Sequence, residues 1–144
     1  MQYDARRSIP FHQLAPLLAI KQVDWVCLQK WDRDIDVSLI DPTSWLDWTA
    51  ELHDFADTAA LIENLDAVVA VDSAIAHLAG ALHKSVYLLN RYDGEWRWLC
   101  NQSQSPWYAS MQIMNQSEFG NWGPVIEALK DVILGLTLDR SKVN

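Results

Sequence analysis

Asp72, Ser73 and His77 are the residues whose types and spacing best suit chemistry in this chain, and they lie in the stretch AVVAVDSAIAHLAGALHKSVYLL. That pattern predicts a compact βαβ unit: an apolar strand, a two-residue turn, a helix of small residues and a second strand. In open α/β sheets, ligands sit beyond the carboxyl ends of the strands, where helix N-termini present free N–H groups and a positive dipole end to anions. Asp72 and Ser73 fall at such a place. His77 follows Ser73 by one helical turn, so the two share a face and the imidazole leans toward the helix start. Ala74, Ala76, Ala79, Gly80 and Ala81 give this helix little bulk, which permits close approach to a sheet or a ligand. The competing reading makes Ser73 a plain helix cap, Asp72 a turn residue favoured by the dipole and His77 a surface histidine. Spacing alone leaves both open.

Other candidates are fewer. Gln29 and Lys30 follow the carboxyl end of an apolar run, where a nucleobase or ribose contact and a solvated strand terminus are equally plausible. Eight tryptophans in one chain are unusual; flat aromatic faces suit sugar rings, and they also fill cores. In WRWL, an extended backbone would place Trp96 and Trp98 on one side. Phosphate signatures of other folds are absent: there is no GxGxxG and no GxxxxGK[ST], and GxSxG is missing too. A dinucleotide dehydrogenase, a P-loop NTPase and an α/β-hydrolase therefore lack support. Asp32, Asp34 and Asp36 lack the strand-end context of a receiver domain and read as a solvated acidic turn. His12, His53, His77 and His83 show no metal-ligand spacing, and Cys27 and Cys100 form no CxxC, with Cys27 expected as a buried thiol.

The elements that must position these residues alternate. A helix is expected over residues 9–19 despite Pro16, a buried strand over Val23–Leu28, and a polar loop from Lys30 to Ser44. Trp45, Leu46, Trp48 and Leu52 suit one face of a short helix, while Leu52–Phe55 suits a strand. Thr58 is the expected cap of the next helix, followed by strand Ala67–Val71, the helix opened by Ser73, strands Ser85–Asn90 and Met111–Met114, and a closing helix Trp122–Leu136 with Pro124 in its first turn. Short, wholly apolar strands between helices indicate an α/β, Rossmann-like parallel sheet with helices on both faces. Residues 1–138 are expected to form this domain, with 139–144 a polar tail.

Composition bounds the function. The 144 residues are 50% hydrophobic and 21% charged, which fits one globular domain burying roughly two-thirds of its unfolded surface. Nineteen acidic residues against eleven basic ones give a net charge of −8, which argues against nucleic-acid binding over a broad surface. No apolar run approaches the roughly 20 residues of a membrane span, and the first residues have no apolar core of a signal peptide, so the expected location is the cytoplasm.

The segments RSIPFHQLAPLLAI, VCLQK, DFADTAALIENLDAVVAVDSAIAHLAGAL, WRWL and SPWYASMQIM, taken in order, resemble the C-terminal half of bacterial tetratricopeptide-repeat proteins with a glycosyltransferase-like domain. More distantly, VDSxxxHLAxAL is similar to the donor site of the ADP-heptose:lipopolysaccharide heptosyltransferases. The likeness extends over residues 6–136.

It implies one half of a GT-B arrangement, in which the C-terminal Rossmann-like domain binds the nucleotide-sugar donor and an N-terminal domain supplies the acceptor site and the base. By this resemblance Asp72, Ser73 and His77 correspond to donor-binding residues, the WRWL stretch with Trp98 lies beside the donor cleft, and no metal or other cofactor is needed. No residue here is assigned as the catalytic base. The expected partners are a nucleotide-diphosphate sugar and either a second copy or a separate acceptor domain. One departure stands out: the family's usual first strand and its lysine-bearing loop precede RSIP, and MQYDAR stands there instead. The sheet is therefore expected to lack its usual first strand, with Arg6 and Arg7 either replacing the lost cation near a diphosphate or standing as solvated charges at a frayed end. The implied function is donor binding, inactive in transfer without an acceptor domain, or alternatively a non-catalytic binding or assembly module.

Overall fold

The computed structural model describes residues 8–30, 43–99 and 101–141. Arg6, Arg7, the acidic stretch with Asp32, Asp34 and Asp36, Cys100 and residues 142–144 lie outside them. In order, the described elements are α1 (Phe11–Leu18), β1 (Trp25–Cys27), β2 (Trp45–Asp47), α2 (Phe55–Glu63), β3 (Ala67–Val71), α3 (Ala74–Ala81), β4 (Ser85–Asn90), β5 (Met111–Asn115) and α4 (Gly123–Ser141), with single 3-10 turns at Thr49–Glu51 and Trp96–Trp98.

All pairing between these strands is parallel: β3–β4–β5 form one sheet and β1–β2 another. Register follows the alternation of side chains. Val68, Val86, Leu88, Met111 and Ile113 face α2 and α3, joining Ile62, Ala76, Ala79 and Trp98 in one core. Val69, Val71, Tyr87, Leu89 and Met114 face the other way, against Leu17 and Ile20 at the end of α1 and Val125, Ile126, Leu129 and Ile133 of α4. The α4 set recurs at i, i+1, i+4 and i+8, the stripe a helix needs to cover a sheet. This is the Rossmann-like α/β arrangement expected, with helices on both faces.

β1 contributes to both cores, Trp25 to one and the adjoining Leu28 to the other. Among the described residues, however, no ladder joins β1–β2 to β3–β4–β5.

Several local expectations differ from the structure. The β1 strand is shorter than Val23–Leu28, and Trp45–Leu52 is neither a helix nor followed by a strand. Trp45–Asp47 pairs with Trp25–Cys27 instead, and the Asp47 carboxylate then accepts from Thr49 N–H at 2.9 Å and Thr49 Oγ1 at 2.7 Å, which turns the chain and ends the strand. Thr58 does not cap α2. Asp54 does, accepting from Ala56 N–H at 2.8 Å and Asp57 N–H at 2.9 Å, while Thr58 sits within the first turn and donates its hydroxyl to the Asp54 carbonyl. α4 runs on to Ser141 rather than ending at Leu136. Cys27 is buried, as expected, and its thiol donates to the Gln29 carbonyl.

Candidate functional site

β3 delivers Asp72 beyond its carboxyl end, and Ser73 enters α3 in extended backbone. An uninterrupted apolar strand must stop at a charge, and the small residues Ala76, Ala79 and Gly80 let α3 lie flat on the sheet. Ser73 holds the cap position, yet its side chain makes no cap hydrogen bond. The amides of the first turn of α3 therefore find no acceptor in the Ser73 side chain, and the positive end of the helix dipole lies there.

His77 is ordered from three sides. Its Nε2 faces Asp72 Oδ1 at 3.9 Å, its Nδ1 is 3.0 Å from the Tyr108 hydroxyl, and its ring stacks on Trp98 with centroids 5.1 Å apart and planes 24° from parallel. Trp98 is wholly buried and belongs to the core beneath the imidazole.

Asp72 also meets Arg97, Nη2 to Oδ2 3.8 Å, and the same guanidinium reaches Glu95 at 4.0 Å. The arginine is held through its backbone, because Trp107 Nε1 donates to the Arg97 carbonyl at 2.8 Å. Its side chain is partly exposed, with the guanidinium 5.9 Å from the Trp96 ring centre.

The loop carrying these groups is itself tied down. Asn90, buried at the end of β4, donates to Asn115 Oδ1 at 2.8 Å, and Gly94 passes so close that a Cβ would stand 2.5 Å from the Asn90 side chain. Arg91 pairs with Asp93 and Glu95 at the edge of a small, partly open cavity of about 10 Å³ lined by Val71, Asp72, Asn90 and Trp122. Such a space holds one water at most. A diphosphate has no room there, and the open side of the site is the start of α3 beside His77 and Arg97.

The structure thus brings Asp72, Ser73 and His77 together, as their spacing predicts. Trp98 is placed differently from the extended expectation. Residues 96–98 form a 3-10 turn, which sends Trp96 outward at 73% exposure and Trp98 inward at 0%. Trp98 can therefore touch a ligand only through the imidazole it supports. Gln29 and Lys30 lie exposed beyond β1. Arg7 lies outside the described residues.

Arg97 and Tyr108 escaped the sequence reading. Arg97 was hidden between two tryptophans that drew the attention, and Tyr108 acts across 31 residues of chain, a separation no local pattern reports.

Among the described residues, no group of three His, Cys, Asp or Glu side chains is arranged to hold a metal ion, and no helix is long and apolar enough to cross a membrane.

Comparison with known proteins bears on the same stretch of chain. The model of glycosyltransferase family 9 (heptosyltransferase) matches residues 51–109, less than half of the chain, from the 3-10 turn before α2 through Tyr108. Protein FlbA of Caulobacter vibrioides is 29% identical over 136 residues, covering 88% of this chain but 22% of FlbA. The chain spans about a fifth of that relative's length. No solved structure matches. The stretch that carries Asp72, Ser73, His77, Arg97 and Tyr108 is the stretch similar to a sugar-transferase domain.

Proposed function

We propose that this chain is the nucleotide-sugar donor-binding domain of a glycosyltransferase-like protein, tetratricopeptide-associated and working in the cytoplasm, and that it needs a separate acceptor domain for transfer. The observation that carries the reading is the convergence of an uncapped helix start, His77 and Arg97 on one exposed face, within the family 9 match. In this reading the amides of α3 and the Ser73 hydroxyl hold the diphosphate, Arg97 turns from Asp72 to a phosphate oxygen, and Asp72 then accepts from a sugar hydroxyl. Gln29, Lys30 and Arg7 remain candidates for the nucleoside and phosphate on the strength of sequence alone.

During transfer, a base from the acceptor domain takes the proton of the acceptor hydroxyl, that oxygen bonds to the anomeric carbon, and the bond from this carbon to the diphosphate breaks. The departing nucleoside diphosphate carries away the negative charge, which the dipole of α3 and Arg97 stabilise.

One observation favours a second reading, a non-catalytic binding or assembly module that acts as a homodimer or with another chain. The described sheet is divided between β1–β2 and β3–β4–β5, an arrangement that a strand from another segment would complete.

Thermal unfolding with UDP- and ADP-sugars separates the two. A donor at a hundred times its dissociation constant should stabilise the fold by about 2.7 kcal/mol. Asp72→Ala with His77→Ala should abolish that shift. Absence of any shift with every nucleotide sugar tried would leave the module reading standing.

A further inference from the structure

We propose that Tyr108 is a positioning residue that fixes the proton of the uncharged His77 imidazole on Nε2, making His77 a hydrogen-bond donor rather than a base at the start of α3. The inference deepens the donor-binding reading, and its role for the ligand rests on that reading.

The two ring nitrogens of His77 face different groups, the Tyr108 hydroxyl at Nδ1 and the Asp72 carboxylate at Nε2. A hydroxyl can donate or accept, whereas an ionised carboxylate only accepts. With the proton on Nδ1, the tyrosine would accept it and the bare Nε2 lone pair would point at the carboxylate, which is repulsive. With the proton on Nε2, its N–H dipole points toward Asp72 Oδ1 and Nδ1 accepts from the Tyr108 hydroxyl. Both neighbours then favour the same tautomer: a phenol hydroxyl donates more readily than it accepts, and the carboxylate at 3.9 Å adds a weaker preference that does not hold a single form by itself. At 3.9 Å the Asp72 contact is too long to be a hydrogen bond, so Nε2–H keeps its donor capacity for a ligand oxygen.

The surroundings hold this arrangement. Trp98, without exposed surface, sets the plane of the imidazole by stacking, and the Tyr108 ring meets the imidazole edge-on with centroids 5.8 Å apart. Tyr108 has little freedom of its own. Its backbone N–H donates to Ser105 Oγ at 3.2 Å, and its carbonyl accepts from Met111 N–H at 3.0 Å, where β5 begins. Its ring lies directly over Gly80, where a Cβ would come within 2.6 Å of Tyr108 Cγ. Glycine within a helix ordinarily weakens it; here, in the last turn of α3, Gly80 makes room for the ring that orders His77.

The consequence for chemistry is specific. Nε2, the ring nitrogen toward Asp72, presents hydrogen, which suits a phosphate or sugar oxygen and cannot take a proton from an acceptor hydroxyl.

The test is Tyr108→Phe, which keeps the ring over Gly80 and removes only the hydroxyl. Long-range nitrogen–proton correlation spectra of the intact chain at alkaline pH report which nitrogen of each histidine is protonated, and His77→Asn identifies the His77 signals. The expected result is a single Nε2–H tautomer in the parent chain and a mixture of both tautomers in Tyr108→Phe. Affinity for an ADP- or UDP-sugar should also fall by roughly two- to tenfold, the range of one ordinary hydrogen bond. An Nδ1–H tautomer in the parent, or an unchanged single tautomer in Tyr108→Phe, overturns the proposal even if nucleotide sugars bind. The predicted tautomers without any nucleotide-sugar binding would support the positioning role and remove the donor-binding reading.

Discussion

Helices α2 and α3 begin with the same backbone and treat their first turns in opposite ways. Asp54 and Ser73 both enter in extended conformation. At α2 the chain answers its own amides: Asp54 accepts from two of them, and Asp57 braces the approach by accepting from His53 N–H, just before the cap, at 2.9 Å. At α3 the serine caps nothing, and the nearby carboxylate of Asp72 is directed to His77 and Arg97. One helix start is completed by its own cap residue, whereas the other takes no bond from its cap residue and is flanked by distant residues. The difference teaches that a good capping residue type does not itself make a cap, because the side chain must also be turned toward the amides.

The largest expected effect comes from removing what holds α3 from afar. Trp98 forms the floor under His77 and fills the core between α3 and the sheet. Trp98→Ala should cost about 3–5 kcal/mol in chemical denaturation, the range for a buried aromatic truncated to alanine. A loss below about 1 kcal/mol would mean that α3 does not depend on this packing and is not unlike α2 after all.

Next comes the direct contrast between the two caps. Asp54→Ala should lower stability by about 1 kcal/mol, since two amides of α2 lose their acceptor. Ser73→Ala should change stability by less than about 0.5 kcal/mol, because no cap is lost. Nucleotide-sugar affinity should respond in reverse, falling for Ser73→Ala and unchanged for Asp54→Ala. Equal destabilisation by both substitutions would show that Ser73 is an ordinary cap.

The same contrast explains what could be read in the sequence. The β3–α3–β4 unit was legible because its signals are local and agree: AVVAV is apolar throughout, Ser73 is of capping type, and the helix is rich in alanine. The strand Trp45–Asp47 was not, because three residues of mixed polarity become a strand only by pairing with Trp25–Cys27, a contact set by the rest of the fold. Asp54 and Thr58 are both good capping types, and the pairing of Asp54 with Asp57 was the overlooked local signal. At the site, the cluster of Asp72, Ser73 and His77 followed from helical spacing. The groups that orient it, Trp98, Arg97 and Tyr108, come from a 3-10 turn and the loop before β5, whose placement depends on tertiary contacts. Assuming an extended WRWL misplaced Trp98 for this reason.

Arg97 should give only a small change in stability and so sharpens the comparison most finely. Its contacts with Asp72 and Glu95 are 3.8 and 4.0 Å long, and much of its side chain faces water. Pairs of this kind contribute about 0–1 kcal/mol and weaken with added salt. Arg97→Ala should therefore shift the denaturation midpoint little, and less still at high salt. A weak ion pair also means that releasing the guanidinium from Asp72 costs little, whereas its contact with a phosphate oxygen is charge-assisted and so stronger than an ordinary hydrogen bond. The same substitution should weaken nucleotide-sugar binding more than it weakens the fold, measured by calorimetric titration at low and high salt. If Arg97→Ala instead destabilised the fold strongly and left binding untouched, the arginine would be a structural brace, and the start of α3 would be closed by its own chain as the start of α2 is.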